Sequence, residues 1–251
     1  MKSERPPAGY YLTNGRAVSL SEMYRMAGFW RLPFAFLYKL TTKPSAPFWM
    51  PGTSDALDCS RTELPAQVLE KLQANRADIQ ALGFNEFAYG QDRRSLVPDL
   101  RENGSISFLH QERNITAILL YTKMVIESLA NREIETTIVA FTSAIGNTAL
   151  TASNDTKGFD VIPGRIFVPV NSNSPTVIFS AFKNALNKSG KQPRVFNDST
   201  EANQWQDQMT WEAFTHRVHR QLFIKMTDAE VAEAEKVMKE RTAQLQNTTS
   251  H

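Results

Sequence analysis

The sequence predicts an α+β protein, with a mainly antiparallel sheet of about five to six strands covered by helices, an extended N-terminal arm and a helical C-terminus. Three observations lead there. Short runs rich in Ile, Val, Thr, Phe and Tyr succeed one another between Phe84 and Val170 without the helical pattern that a parallel sheet would need between successive strands. The step Ile145-Gly146-Asn147-Thr148 joins two of these runs through a pair that tolerates positive φ, which predicts a tight hairpin. Outside this block, apolar residues recur every three or four positions, the period of a helix buried on one face.

Residues 1–62 read as the arm. Pro6, Pro7, Pro33, Pro44, Pro47 and Pro51 interrupt any long period, and between them lies a dense patch from Met23 to Leu40 that Pro33 should kink or divide. Residues 63–226 read as the α+β core. Its first helix follows Thr62, where Leu64, Val68, Leu72, Ile79 and Leu82 share a face and Gly83 supplies the stop. The expected strands are Phe84–Tyr89, Ile106–His110, Ile115–Met124, Ile134–Ile145, Thr148–Ser153 and Arg165–Val170. Ser174 before Pro175 then opens a helix with Ile178, Phe182 and Leu186 on one stripe and Gly190 beyond its end. A further helix is expected from about Thr200 to Lys225, carrying Trp211, Phe214, Val218 and Leu222. Residues 227–251 read as a polar helix and tail, opened by a capping box of Thr227 and Glu230.

Composition narrows the function. A chain of 251 residues with 41% apolar positions can bury a full core without staples. The single cysteine, Cys59, excludes an intrachain disulfide framework and a cysteine-rich zinc site, and a net charge of +2 gives no field that would gather nucleic acid. Arg93-Arg94 and the basic run from Lys188 to Arg194 lack the interleaved aromatics of a nucleic-acid platform and read as solvated loops. Met1 to Pro7 has no apolar stretch of the secretory kind, and the longest uncharged run, Thr136 to Asn154, is too rich in Thr, Ser and Asn to span a bilayer. A soluble cytoplasmic chain is expected, with the membrane periphery as its other location.

Candidate chemistry is sparse. Phosphate-cradling glycine loops and the Gly-x-Ser-x-Gly elbow do not occur. Glu212, His216 and His219 stand at helical spacings of four and three and share a face, but His216 lies nearly opposite the Phe214, Val218, Leu222 stripe and His219 on its border, and zinc-protease spacing is missing, so a solvated face is expected and no metal. His110, at a strand end beside Gln111 and Glu112, has the composition of a general base with a carboxylate orienter, or simply of a polar strand end. Cys59, near Arg61 and a helix start, has surroundings that would lower a thiol pKa, without a histidine close in sequence. The Asn-x-Ser/Thr patterns at Asn103, Asn114, Asn154, Asn187, Asn197 and Asn247 follow from composition and carry no function. No cofactor is expected.

The arm holds the most pointed signal. Five basic residues against Glu22 alone lie between Arg16 and Lys43, and they alternate with Tyr24, Phe29, Trp30, Phe34, Phe36 and Tyr38. Tyr24, Phe29, Trp30, Arg31, Phe34, Phe36 and Lys39 are therefore the expected contact residues, whether for an anionic membrane surface, for a groove on an unknown protein partner, or for the chain's own core. The reading is a binding or scaffold protein without an evident catalytic motif. The alternatives are a hydrolase-type enzyme using His110, His216 and His219, and a carrier of an apolar small ligand between sheet and helices.

Overall fold

A computed structural model describes residues 8–19, 21–23, 39, 43, 45–50, 58–92, 96, 100–126, 132–155 and 161–248. In chain order the elements are β1 (Gly9–Thr13), β2 (Ser45–Met50), β3 (Asp58–Cys59), α1 (Ala66–Ala81), β4 (Phe84–Gly90), β5 (Leu100–His110), β6 (Thr116–Ile126), β7 (Arg132–Ile145), β8 (Thr148–Ser153), β9 (Arg165–Pro169), α2 (Pro175–Ser189), α3 (Ser199–His219), β10 (Phe223–Lys225) and α4 (Asp228–Thr248). The α+β class holds, and the chain forms two compact units. One gathers 57–91 and 101–210, the other 1–56, 92–100 and 211–251.

The larger unit is built on a seven-stranded sheet in the simple order β3-β4-β5-β6-β7-β8-β9. Its longest pairing runs from Thr116↔Thr142 to Ile126↔Arg132, and the Gly146-Asn147 hairpin closes β7 on β8 with Gly146 at φ 63°. β9 departs from the antiparallel expectation: it lies parallel to β8, with Ala149 opposite Arg165. The link from Ser153 to Arg165 is long enough for the chain to return to the starting end of β8, which a tight turn could not do. Asn154 secures that exit. Its Oδ1 accepts the Val139 N–H at 2.7 Å and its Nδ2 donates to the Thr137 carbonyl at 2.9 Å, so the side chain stands in for a strand residue beside β7.

Strand alternation gives the sheet two faces. Ile106, Phe108, Ala117, Leu119, Tyr121, Val139, Phe141, Leu150 and Ala152 point to one of them and form the main core with Val68, Leu72 and Ile79 of α1 and Ile178, Phe182 and Leu186 of α2. Both helical stripes are thus buried as their periods predict. Gly104 lets α1 approach β5, since a Cβ there would meet Val68 Cγ1 at 2.8 Å and Leu64 Cδ2 at 2.9 Å. On the opposite face, Leu109 packs with Phe87, Phe196, Ala202 and Trp205.

The smaller unit corrects two expectations. The arm contains strands: β1 is the central strand of a three-stranded sheet, β10-β1-β2. The helix expected to reach Lys225 stops at His219, because Gln221 adopts a left-handed φ of 60° and Phe223–Lys225 then pairs with Tyr11–Thr13. Aromatic packing holds this unit together, with Tyr11 against Phe214 at 4.8 Å, Phe48 against Phe223 at 4.7 Å and Trp211 against Phe214 at 6.0 Å. The expected capping box opens α4, Thr227 N–H donating to the Glu230 carboxylate at 2.7 Å and Glu230 N–H to the Thr227 hydroxyl at 3.3 Å.

Candidate functional site

His110 ends β5 and is mostly buried, with its ring against Phe84 at 4.9 Å and Phe179 at 6.3 Å. Its Nδ1 accepts the Glu112 N–H at 3.2 Å, and the ring also hydrogen-bonds the backbone at Leu82. Burial pushes its pKa below the ordinary histidine value, and Lys183 acts in the same direction against the opposing pull of Glu112. The result is a neutral imidazole wedged between strand and helix. Glu112 is the expected orienter, but its carboxylate is 4.0 Å from Nδ1 and 65% exposed, too loose to hold the ring as a catalytic base requires.

In the smaller unit, Glu212 and His219 are exposed and His216 half-buried on α3. The His216 carbonyl accepts the Arg220 N–H at 3.1 Å, a role of its backbone. Among the described residues, no group of three or more His, Cys, Asp or Glu side chains is close enough to share a cation. Cys59 is half-buried on β3 opposite Tyr89. The helix start expected beside it is a 3-10 turn, Arg61–Glu63, where the Ser60 N–H donates to the Glu63 carboxylate at 2.6 Å.

The sequence reading misses two built polar constellations. In the larger unit, Glu86 accepts hydrogen bonds from Arg76, Tyr89 and Gln80, with Arg76 and Glu86 only 14% and 10% exposed. Burial pushes the Glu86 carboxyl up, yet its hydrogen bonds with Arg76 and Tyr89 outweigh this and hold it below the usual range. Every oxygen of that carboxylate is occupied, which makes the cluster a clasp between α1 and β4. Glu86 to Tyr89 is a strand segment and Arg76 a helix residue ten positions away, so no spacing rule joins them.

The second constellation is the base of the basic and aromatic patch. Glu22 is 3% exposed and receives a two-pronged pair from Arg220, Nη1 and Nη2 each 2.7 Å from a carboxylate oxygen. Its Oε2 also accepts the Ser19 N–H at 2.7 Å, while Glu22 N–H donates to the Ser19 hydroxyl at 3.3 Å. Ser19-x-x-Glu22 is thus a capping box whose acid is simultaneously locked to the turn after α3. The Arg220 hydrogen bonds hold the Glu22 pKa down to about 2. Met23 is buried beside it. At the other flank, Lys39 Nζ donates to the Val18 carbonyl at 2.7 Å. Glu22 and Lys39, one on either side of 24–38, are therefore both tied into the smaller unit. Tyr24, Phe29, Trp30, Arg31, Phe34 and Phe36 themselves lie outside the described residues.

No protein-family model, curated protein or solved structure matches this chain. No helix among the described residues is long and apolar enough to cross a membrane.

Proposed function

We infer that this is a binding or scaffold protein whose contact element is the basic and aromatic segment 24–38, which meets an anionic membrane surface at its periphery. The observation that supports this is the double mooring. Glu22 on Arg220 and Lys39 on the Val18 carbonyl tie both flanks of the segment to one compact unit. Between those ties the sequence places six aromatic residues and two arginines with no acidic residue, the composition of an interfacial element whose rings enter the acyl boundary while cations meet head groups. Lys39 serves the mooring as well as the basic count.

Point variants test this better than deletion, because removing residues 1–43 would take away β1 and Glu22. Full-length wild type should float with vesicles of phosphatidylcholine and phosphatidylserine, should not float with phosphatidylcholine alone, and should release as salt rises. A Trp30→Ser, Phe34→Ser double variant should stay folded and lose flotation. Wild type that ignores anionic vesicles at low salt refutes the proposal.

A further inference from the structure

The sequence contains two Asn-Gly steps, Asn14-Gly15 and Asn103-Gly104, and the fold treats them differently. In such a step the glycine has no side chain to shield its amide nitrogen, which can attack the asparagine Cγ. A bond forms between that nitrogen and Cγ, the Cγ–Nδ2 bond breaks, and ammonia leaves with the glycine amide proton. Water then opens the five-membered imide at either carbonyl and leaves aspartate or isoaspartate. The ring closes only when the glycine nitrogen eclipses Cβ about the Cα–C bond. Asn14 stands at φ −105° and ψ 92°, which sets the Gly15 nitrogen on nearly the opposite side of that bond.

Hydrogen bonds hold Asn14 in this unreactive shape. Its N–H donates to the Leu222 carbonyl at 2.8 Å and its Nδ2 to the Gln221 carbonyl at 2.9 Å, while its Oδ1 accepts the Arg16 N–H at 3.2 Å and its carbonyl the Ala17 N–H at 3.1 Å. The ties to Gln221 and Leu222 join the end of β1 to the turn that leads into β10. That pairing is short, running only from Tyr11↔Lys225 to Thr13↔Phe223, and short ladders are among the first parts of a fold to open locally. Asn103 has no comparable release. It lies inside β5, which has β4 and β6 on either side, and Gly104 is buried where a Cβ would meet Val68 and Leu64.

We propose that Asn14-Gly15 is a deamidation site gated by the closure of β1 on β10, and that its conversion, with water as the only co-reactant, hinders that closure from then on. Asn14 and Gly15 are half-buried, so water reaches them once the ties part. Aspartate loses the donor that met the Gln221 carbonyl and sets a carboxylate against it. Isoaspartate routes the main chain through Cβ and Cγ, which lengthens it between Thr13 and Gly15 and displaces the carbonyl that accepts from Ala17.

Peptide mapping by mass spectrometry tests this on the full-length chain held warm at mildly alkaline pH, native and in urea. In urea both steps should convert at similar rates. In the native chain Asn103 should stay an amide while Asn14 converts slowly. Arg220→Met, which removes the anchor of Glu22 one residue before Gln221, should speed Asn14 by about tenfold or more and leave Asn103 unchanged, because reaction from an open state follows its population. Gly15 does not occupy the left-handed region, so Gly15→Ala should fold as wild type and slow the conversion severalfold. Converted wild type, separated by ion exchange, should lose its Trp211 signal at a lower urea concentration than the unconverted chain. Asn14 as inert as Asn103 in the native chain, an Arg220→Met chain that converts at the wild-type rate, or a converted chain with an unchanged midpoint overturns the proposal.

Discussion

Glu22 shows how much one side chain can be asked to hold. It caps its own helix start, pairs with Arg220 through both oxygens, and is almost wholly excluded from solvent. Removing Arg220 would leave a buried carboxylate without its counter-charge. Arg220→Met is expected to cost about 2–3 kcal/mol in chemical denaturation, below the range for a fully buried pair because Arg220 keeps 26% of its side chain exposed. The pair also sets an acid limit. With the folded pKa at about 2 and the unfolded value near 4.5, its contribution is complete above pH 4.5 and drains away as pH falls towards 2. Wild type should therefore lose more stability over that window than Glu22→Gln, measured by denaturation at each pH. His110 acts over a different window. Its lowered pKa favours folding above the unfolded value near 6.5, and that advantage is lost as pH drops through the folded pKa. A histidine resonance that titrates below 6.5 in wild type and vanishes in His110→Gln would identify it.

At the scale of elements, packing energy concentrates where period and burial coincide. Phe182 of α2 is 0% exposed between Phe141 and Phe179, and Phe182→Ala is expected to cost about 3–5 kcal/mol. A loss under about 1 kcal/mol would remove α2 from the core. Gly104→Ala tests the α1 approach from the other direction: the added methyl must displace Val68 or Leu64, at about 1–3 kcal/mol. These elements were legible because their cues are local. Val68, Leu72 and Ile79 repeat within one helix, Gly146 sits inside its own hairpin, and Thr227 caps a helix three residues from Glu230. What was not legible is paired across the chain. β1 and β10 are five and three residues long, too short for a period, and each is a strand because the other is there. The parallel setting of β9 is likewise decided by where the chain returns. Of the candidate side chains, His110 sits at its predicted strand end, but nothing local announces that both ring nitrogens are engaged. Glu22 was visible as the lone acid among five basic residues, without any sign that Arg220 would receive it.

At the scale of the whole molecule, the smaller unit is assembled from both ends of the described chain while the larger lies mainly between them. Loss of Gly9–Thr13 removes a central strand rather than a loose end, so a chain starting at Asn14 should lose the tertiary signals of Trp211 and retain those of the larger unit. Near-ultraviolet circular dichroism, with limited proteolysis to locate the loosened part, reads that outcome; an unperturbed Trp211 would contradict it. The same closure has a consequence for synthesis. Asn14 hydrogen-bonds Gln221 across 207 residues of chain, and the ribosome adds roughly 5–20 residues per second, so about 10–40 s separate the emergence of the two halves of this contact. Throughout that interval the nascent chain carries Tyr11 and Phe48 without Phe214 and Phe223, which complete their core. The larger unit, whose strands neighbour one another in order of synthesis, can fold in the meantime. Chaperone demand during translation should therefore begin with the first fifty residues and end only when β10 leaves the exit tunnel.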